Sequence, residues 1–525
     1  MTNETRRFAL RPIVAALAGA LLATSLAAHA QTQTPPSIDP TVKALMERAA
    51  AGIRNDLLQV YREALSNDAT FAAARSQQQA SQERVPQARS ALLPNLGLSA
   101  RADQNYYSAT IPDTSSNYSV YGGGLNLVAP VYRPQNWEAL EQAKIFVMQS
   151  EAVLAQSRQD LALRVAIAYF NVLGAVDQLI ALNAAKQATL EQLQQARREF
   201  EVGTKTIIDT NEAQARYDQI VAQEQVAIGT LLVRRSELQV ITGREYDSLA
   251  PLHDRPNLNP PQPADINTWV RAAEDNSYAV QIARANYEIA GREIQRARDG
   301  HKPTVDVVGG YNINKFNGTQ SSDQNPRINA GSIGLQLNLP ICQGGLVQSQ
   351  VREAISLQDR FGSDLEAARR GSANAARDAF TGVNFGLAQV HALESAEVSA
   401  RTQLESTQLG YQVGVRILLD VLNATTQLVQ TQRDLKRARY DFLLSGLRLK
   451  AAGGTLGEED ISAVSGLLDP AQPITVPEVP AVNVVPPRPV APAPPAAVPA
   501  TPAPTDKPAG GAPSSKAKPV RKSRR

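Results

Sequence analysis

Residues 200–209 read Phe-Glu-Val-Gly-Thr-Lys-Thr-Ile-Ile-Asp, and residues 411–420 read Tyr-Gln-Val-Gly-Val-Arg-Ile-Leu-Leu-Asp. Each segment has an aromatic residue first, then Val-Gly, a basic residue, two branched aliphatic residues and an aspartate, at an offset of 211 residues. A repeat of this kind indicates an internal duplication, which determines the architecture before any local pattern does. The sequence therefore predicts two units of roughly two hundred residues built on one plan.

Long helices flank both Val-Gly segments. A helix-compatible run extends from 134 to about 200, and Leu, Val or Ala recurs in it every seven residues from Leu140 to Leu182. This heptad spacing is typical of coiled-coil packing. A return helix is predicted over 206–241, and the second unit repeats the pair over about 346–410 and up to about 451. The fold class expected is mainly α, with long coiled-coil hairpins.

Four segments instead alternate apolar and polar residues with a period of two, which is typical of strands with two different faces. They cover about 95–103, 118–129, 304–314 and 330–339. The polar face contains Asn95, Ser99, Asp306, Asn312, Gln336 and Asn338. The apolar face contains Leu96, Leu98, Leu125, Leu127, Val305, Val307, Ile333, Leu335 and Leu337.

The remaining segments complete the predicted domain organisation. Single helices are expected over 41–91 and 267–299. The boundaries follow as a signal peptide (1–30), a first repeat (31–241), a linker or equatorial region (242–266), a second repeat (267–469) and a Pro/Ala-rich basic tail (470–525). The signal peptide is predicted from its arginines, its apolar stretch and the Ala28-His29-Ala30 cleavage site. The tail cannot bury enough apolar surface to fold and is expected to be disordered.

Composition excludes several classes of function. The net charge of +3 comes from the two ends, and the body of the chain is mildly acidic, which disfavours nucleic-acid binding. The single cysteine, Cys342, allows no disulfide within the chain. No histidine cluster with metal-ligand spacing and no phosphate loop or nucleophile elbow occurs, so we expect neither an enzyme nor a cofactor. No stretch after the signal is expected to span a bilayer as a helix.

An exported chain with two-faced strands and no membrane helix suggests a Gram-negative outer-membrane protein. In lipid only a closed barrel satisfies every backbone group of a sheet. Known bacterial barrels need about eight strands or more. Four strands per chain cannot close, so several chains would share one barrel. The alternative is a small periplasmic sheet packed on helices.

The chain resembles the TolC family of outer-membrane efflux and secretion channels. The resemblance covers about residues 50–460 and is carried by the two Val-Gly turns, 202–209 and 413–420, in the order strand pair, long helix, turn. It implies a homotrimer in outer-membrane lipid with one 12-stranded barrel, four strands from each chain, above a periplasmic helical tunnel. It also implies a periplasmic adaptor (membrane fusion protein) and an inner-membrane RND or ABC transporter as partners. An equatorial region would come from about 242–275 and 450–469.

The resemblance also implies a gate at the periplasmic tip. Asp420 matches a constriction aspartate, Arg416 and Tyr411 match residues that tie the inner hairpin to its neighbours, and Asp209 matches an acidic partner. Asn423 stands where many members have a second acid, which weakens the expected charge of the gate. Both aspartates could instead only cap their helices. The adaptor would dock on the two turns, at Val202, Gly203, Lys205, Val413 and Gly414.

Two functions remain open at this point. One is a passive exit duct for small toxic molecules or unfolded proteins, and the other is a coiled-coil scaffold without a pore. Five aromatic residues could form girdles at the membrane interfaces. They are Tyr106, Tyr107, Tyr118, Tyr121 and Phe316.

Overall fold

A computed structural model describes residues 55–111, 113–204, 206–318 and 325–469 and the strand residues 474–475, without the side chains of 114, 474 and 475. The predicted signal peptide, most of the predicted tail and Lys205 lie outside the described residues.

Three short helices open the first half: α1 (Leu57–Asn67), α2 (Ala69–Gln82) and α3 (Arg84–Ser90). The prediction of one helix over 41–91 is wrong within the described residues, because Asp68 interrupts it. The Asp68 backbone is extended, its N–H donates to the Ala64 carbonyl, and its carboxylate accepts from the Phe71 N–H. One side chain thus separates two helices by capping the second.

A strand hairpin and a helical hairpin follow. Strands β1 (Asn95–Thr110) and β2 (Asp113–Tyr132) are longer than predicted. Helix α4 (Pro134–Glu201) has 68 residues, which is roughly 100 Å at 1.5 Å per residue. It begins at Pro134, as proline at the first helical position favours, and α5 (Ile207–Thr242) returns along it.

The second half repeats this order. Helices α6 (Ile266–Asn276) and α7 (Tyr278–Arg298) replace the single helix predicted over 267–299, because the Ser277 hydroxyl caps α7 by accepting from the Val280 N–H. The elements that follow are a 3-10 turn (Asp299–His301), β4 (Thr304–Asn317), β5 (Arg327–Asn338), α8 (Leu346–Gln412), α9 (Leu418–Ala452) and the short α10 (Glu458–Ser465).

The segment that links the two halves pairs with the segment that follows the second half, beside helix α4. Strand β3 (Ser248–Leu249) pairs antiparallel with β6 (Ile474–Thr475), and Leu252 forms a bridge with Leu468. Beside them the buried Tyr169 hydroxyl of α4 donates to the Ala250 carbonyl, at 2.8 Å. Residues 248–253, 467–469 and 474–475 therefore form one small layer against α4.

The four long strands form one antiparallel sheet in the order β1-β2-β4-β5. Residues opposite each other in an antiparallel pair project to the same side. Leu96 pairs with Leu127, Leu127 with Gly309, and Gly309 with Ile333, so these four residues form one row across the sheet. The neighbouring rows, two residues away along each strand, follow the same pattern. All nine apolar residues predicted for one face consequently share that face.

The opposite face carries the predicted polar residues, with two corrections to the sequence reading. Asp306 was expected to line water, but it is buried under Arg133, whose guanidinium donates twice to the carboxylate at 2.7 Å. This contact anchors the start of α4 to the foot of β4. The expected aromatic girdle is also divided, because the register puts Tyr106 and Tyr121 on the apolar face and Tyr107, Tyr118 and Phe316 on the polar one.

The apolar face of the sheet is uncovered. Leu98 is 82% exposed, Ile333 80% and Leu335 74%. Both outer edges, β1 and β5, have no strand partner among the residues that the structure describes. A periplasmic sheet packed on helices would bury this face, so the geometry disfavours that alternative.

The main core lies where α1, α4, α5 and α9 meet, around Leu161, Leu173, Leu231 and Leu449. The predicted heptad positions Leu161, Ala168, Ala175 and Leu182 are buried there. One window of α4 is long and apolar enough to cross a membrane, contrary to the sequence expectation, and most of it is buried among these helices. Its apolar character is explained by this packing.

A buried polar contact joins the two helical hairpins at the level of this core. Asp177 of α4 is 7% exposed and accepts from the Lys436 ammonium at 2.8 Å and from the Tyr440 hydroxyl at 2.5 Å, both on α9. Burial, and then the Asp177 charge, raise the pKa of Tyr440, so its hydroxyl keeps its proton. The Tyr440 ring stacks on Phe170.

We expect Asp177→Ala to lower the free energy of unfolding by about 2 kcal/mol, because it leaves a buried hydroxyl and an ammonium without their acceptor. The half-exposed Lys436 regains water, which keeps the loss below that of a fully buried pair. Tyr440→Phe retains the ion pair and should cost about 1 kcal/mol. Denaturant unfolding measures both, and equal losses would contradict this ranking.

Candidate functional site

The two Val-Gly turns at the ends of the helical hairpins have nearly the same backbone. Val202 and Val413 end α4 and α8 with the same dihedral angles within 1°, and Gly203 and Gly414 have positive φ values of 75° and 80°. The N–H of Gly203 donates to the Phe200 carbonyl, as that of Gly414 does to Tyr411. The sequence repeat therefore encodes one turn geometry twice.

The positive φ values explain why glycine occupies both turns. They predict that alanine destabilises the protein at these two positions but not at a glycine inside a helix. A Cβ added at Gly203 or Gly414 meets no atom within 4 Å, so the cost of alanine is backbone strain alone, about 1 kcal/mol at each position. Gly229, inside α5, is equally open but helical, so Gly229→Ala should stabilise by about 0.5–1 kcal/mol. Thermal unfolding of the three variants checks this expectation, and a stabilising Gly414→Ala would refute it.

The two repeated aspartates make different contacts although both occupy the third position of a return helix. Asp209 completes a capping box, accepting from the Thr206 N–H at 3.1 Å and from its hydroxyl at 2.9 Å. The residue equivalent to Thr206 in the second turn is Ile417, which has no hydroxyl, and α9 has no such box. Asp420 instead faces Arg416, with 3.7 Å between Oδ2 and Nη1.

Asp420 opens onto a groove between α8 and α9 at the tip. The groove has a volume of about 730 Å³ and brings together three of the predicted gate residues, Arg416, Asp420 and Asn423. Ser399 and Gln403 of α8 line the other wall. A groove lined by one carboxylate, one guanidinium, several neutral polar groups and three alanines can hold hydrated solutes and cations.

Tyr411 connects the two hairpins of the chain. Its hydroxyl donates to Glu199 Oε2 of α4 at 2.9 Å, and burial followed by Glu199 raises its pKa. The sequence reading missed Glu199, because it named Asp209 as the acid of the first hairpin. The repeat could have indicated this contact. Glu199 of the first half corresponds to Gly410 of the second, and Tyr411 of the second half corresponds to Phe200 of the first. Only the first half therefore has the acid, and only the second has the hydroxyl.

A small apolar cluster supports this contact. Leu193 of α4, Ala213 of α5 and Leu422 of α9 are buried together, and Tyr217 and Tyr411 pack against them. Nearby, the Arg216 guanidinium of α5 donates to the Thr426 hydroxyl of α9. The tips are therefore held by a few contacts, in contrast to the large core at the middle of the helices.

The predicted docking residues lie on the outside of the turns. Val202 is 74% exposed and Val413 65%, and both glycines are exposed. Lys205 lies outside the described residues.

Known proteins share this arrangement. A family model described as "Outer membrane efflux protein" matches residues 60–244 and 269–455, one stretch in each half. Outer membrane protein TolC of Escherichia coli is 32% identical over 446 residues, which cover 82% of this chain and 89% of that protein. The alkaline protease secretion protein AprF of Pseudomonas aeruginosa is 29% identical over 417 residues, covering 78% of this chain and 86% of its own.

A solved structure has the same fold. The crystal structure of the CmeC outer membrane channel of Campylobacter jejuni superimposes with a TM-score of 0.67 at 18% identity, over 79% of this chain and 90% of that one. Helical hairpins that carry an exposed two-faced sheet, together with these relatives, define the class: an outer-membrane channel that serves efflux or secretion. It is a class of transport proteins, not of enzymes. The chain belongs to the outer membrane efflux protein family.

Proposed function

We propose that three copies of this chain share one 12-stranded barrel and form a passive exit duct across the outer membrane. The observation that carries this proposal is the four-stranded sheet, with both edges unpaired within the described residues and nine apolar residues on one exposed face. In lipid each unpaired edge would leave a row of N–H and C=O groups unsatisfied. Pairing β5 of one copy with β1 of the next removes every edge.

The polar face of the sheet would then line water and the helical hairpins would continue the bore into the periplasm. We propose the division into signal peptide (1–30), repeats (31–241 and 267–469), equatorial linker (242–266) and tail (470–525) on the same basis. The small layer formed by residues 248–253, 467–469 and 474–475 supports an equatorial region beside the long helices.

A gate at the tip follows from threefold symmetry. One Asp420 per chain becomes a ring of three carboxylates, which attract cations and raise each other's proton affinity. Asn423 lies one turn further along α9 and adds no charge, so the ring is a single one. Arg416 and Tyr411 would hold the closed form through Asp420 and Glu199.

The duct has no energy source of its own, so we propose partners that supply it. The exposed turns at Val202–Gly203 and Val413–Gly414 offer a periplasmic adaptor a surface that its backbone can approach closely. Lys205 is included in this docking surface on its sequence position alone. The adaptor would link the duct to an inner-membrane RND or ABC transporter. The family is described by efflux and the relative AprF by protease secretion, so both small molecules and unfolded proteins are candidate substrates.

Planar bilayers test the duct and its gate together. We expect discrete conductance steps from the purified protein and a several-fold weaker block by divalent cations in Asp420→Ala, because the ring of charge is lost. Asp218→Ala, which removes an exposed acid from helix α5 outside the groove, is the control and should be blocked like the wild type. A protein without conductance would support the scaffold alternative, and an unchanged block would remove Asp420 from the gate.

A deletion strain separates the two substrate classes. If the chain serves efflux, the strain should lose tolerance to toxic small molecules and keep its exoproteins. If the chain serves secretion, the strain should retain secreted proteins inside the cell at normal drug tolerance.

A further inference from the structure

The apolar face of the sheet carries two cations at one end. Lys315 of β4 and Arg327 of β5 are directly opposite in the register, and Tyr121 of β2 is opposite Lys315 on the other side. Residues in register share a face, so this row continues the apolar face that contains Leu125 and Ile333. All three side chains of the row are exposed.

Two like charges directly opposite in a sheet repel each other. Neither cation has an ion pair with a residue that the structure describes. Among the described strand residues, Asp113 is the only acid on this face, and it lies eight positions from Tyr121 along β2, about 27 Å at 3.4 Å per residue. Strand β1, the other free edge, has no acid on this face, so a second copy pairing there would not neutralise the cations.

The row lies one membrane thickness from the other end of the apolar face. Ten residues separate Val305 from Lys315, which is about 34 Å along the strand and about 26 Å along the axis of a barrel whose strands tilt by about 40°. The apolar band of such barrels is about 25 Å tall. The long helices join the sheet at the Val305 end, so the cations lie at the interface away from the periplasm. Tyr121 lies in the same row, at the level that interfacial tyrosines occupy.

We propose that Lys315 and Arg327 bind the phosphate of a lipid headgroup in the outer leaflet of the membrane. The proposal rests on the proposed function, because it requires the apolar face to meet lipid. An ammonium and a guanidinium side by side provide charge-assisted hydrogen bonds to phosphate oxygens. The phosphate lies between the two cations and offsets their repulsion. Each protomer would provide one such site.

Binding of bis-phosphorylated lipid A to the purified full-length protein, in an uncharged detergent and followed by native mass spectrometry, tests the site. We expect one phosphate-dependent site per chain and roughly 30-fold weaker binding in the Lys315→Gln/Arg327→Gln double variant, from two lost charge contacts. Arg101→Gln is the matched control: its row lies at the same height on the opposite face, so binding should be unchanged. The single variants serve as the test if the double variant does not assemble, and each should weaken binding by about fivefold.

Further measurements distinguish lipid phosphate from free phosphate, and failure of the headgroup site from failure of the duct. Dephosphorylated lipid A should bind weakly to every variant, and millimolar inorganic phosphate should not displace the lipid. Wild-type binding by the double variant, equal binding of the dephosphorylated lipid, or displacement by free phosphate would each overturn the inference. Mass and conductance measured on the same preparations test the duct separately: a conducting trimer with unaltered lipid binding in the double variant refutes the headgroup site alone.

Discussion

Ile333→Arg should abolish assembly in the outer membrane. Ile333 is 80% exposed on the apolar face, two rows of the sheet from the Val305 end, and so lies nearest to the middle of the proposed membrane span among the apolar residues of β5. An arginine near the bilayer midplane costs about 2–4 kcal/mol in a membrane barrel, and the cost falls toward the interfaces. Three copies of the change would add up. Outer-membrane fractions and heat-modifiable mobility on gels measure the loss.

The adjacent residue provides the control. Ser332 projects to the polar face, so Ser332→Arg adds the same charge at the same depth but towards water. We expect this variant to assemble normally. The severity should also fall from Ile333 through Leu335 to Leu337 as the arginine approaches the interface. Equal tolerance of Ile333→Arg and Ser332→Arg would show that this face does not meet lipid.

Tyr411→Phe should open the tip more than Arg416→Ala does. The Tyr411 hydroxyl donates to the Glu199 carboxylate from a half-buried position, and a hydrogen bond to a charged group contributes about 1.5 kcal/mol. The raised pKa keeps the hydroxyl protonated at neutral pH, so it remains a donor. The Arg416–Asp420 pair is exposed at 3.7 Å, so it contributes about 0–1 kcal/mol.

Single-channel recording measures this difference. A loss of about 1.5 kcal/mol corresponds to a roughly tenfold shift toward the open tip for each subunit. Tyr217→Phe is the matched control, because Tyr217 packs on the same cluster but makes no hydrogen bond through its hydroxyl to the residues described. Glu199→Gln keeps an acceptor and should have an intermediate effect. A larger effect of Arg416→Ala than of Tyr411→Phe would reverse the assignment.

The parts of the fold that repeat in sequence were predicted closely. Both long helices, both turns and all four strands are where the duplication and the periodicity indicated, and the nine apolar residues share one face. The short helices were not predicted, because Asp68 and Ser277 interrupt continuous apolar spacing by capping and not by a helix-breaking residue. Strand ends were also placed too early, since residues 104–110 lie in β1 without alternating hydrophobicity.

The candidate site was predicted only where it depends on the repeated turns. Arg416, Asp420 and Asn423 line one groove, as expected of residues near a repeated turn. The partner of Tyr411 depends on how α4 and α8 approach each other, which periodicity within one helix does not encode. Asp209 and Asp420 differ in their contacts because the first turn has Thr206 where the second has Ile417. This one difference between the halves makes Asp209 a cap and leaves Asp420 without that contact.

Cross-linking of the two free sheet edges tests the shared barrel most directly. With Cys342 replaced by Ser, a cysteine is placed on β1 between Asn95 and Ala100 and another on β5 between Ile333 and Asn338, over a short series of registers. We predict that oxidation in intact outer membranes yields a covalent trimer in the matching registers. Chains that remain monomeric in every register, or that a salt wash releases from the membrane, would contradict the account.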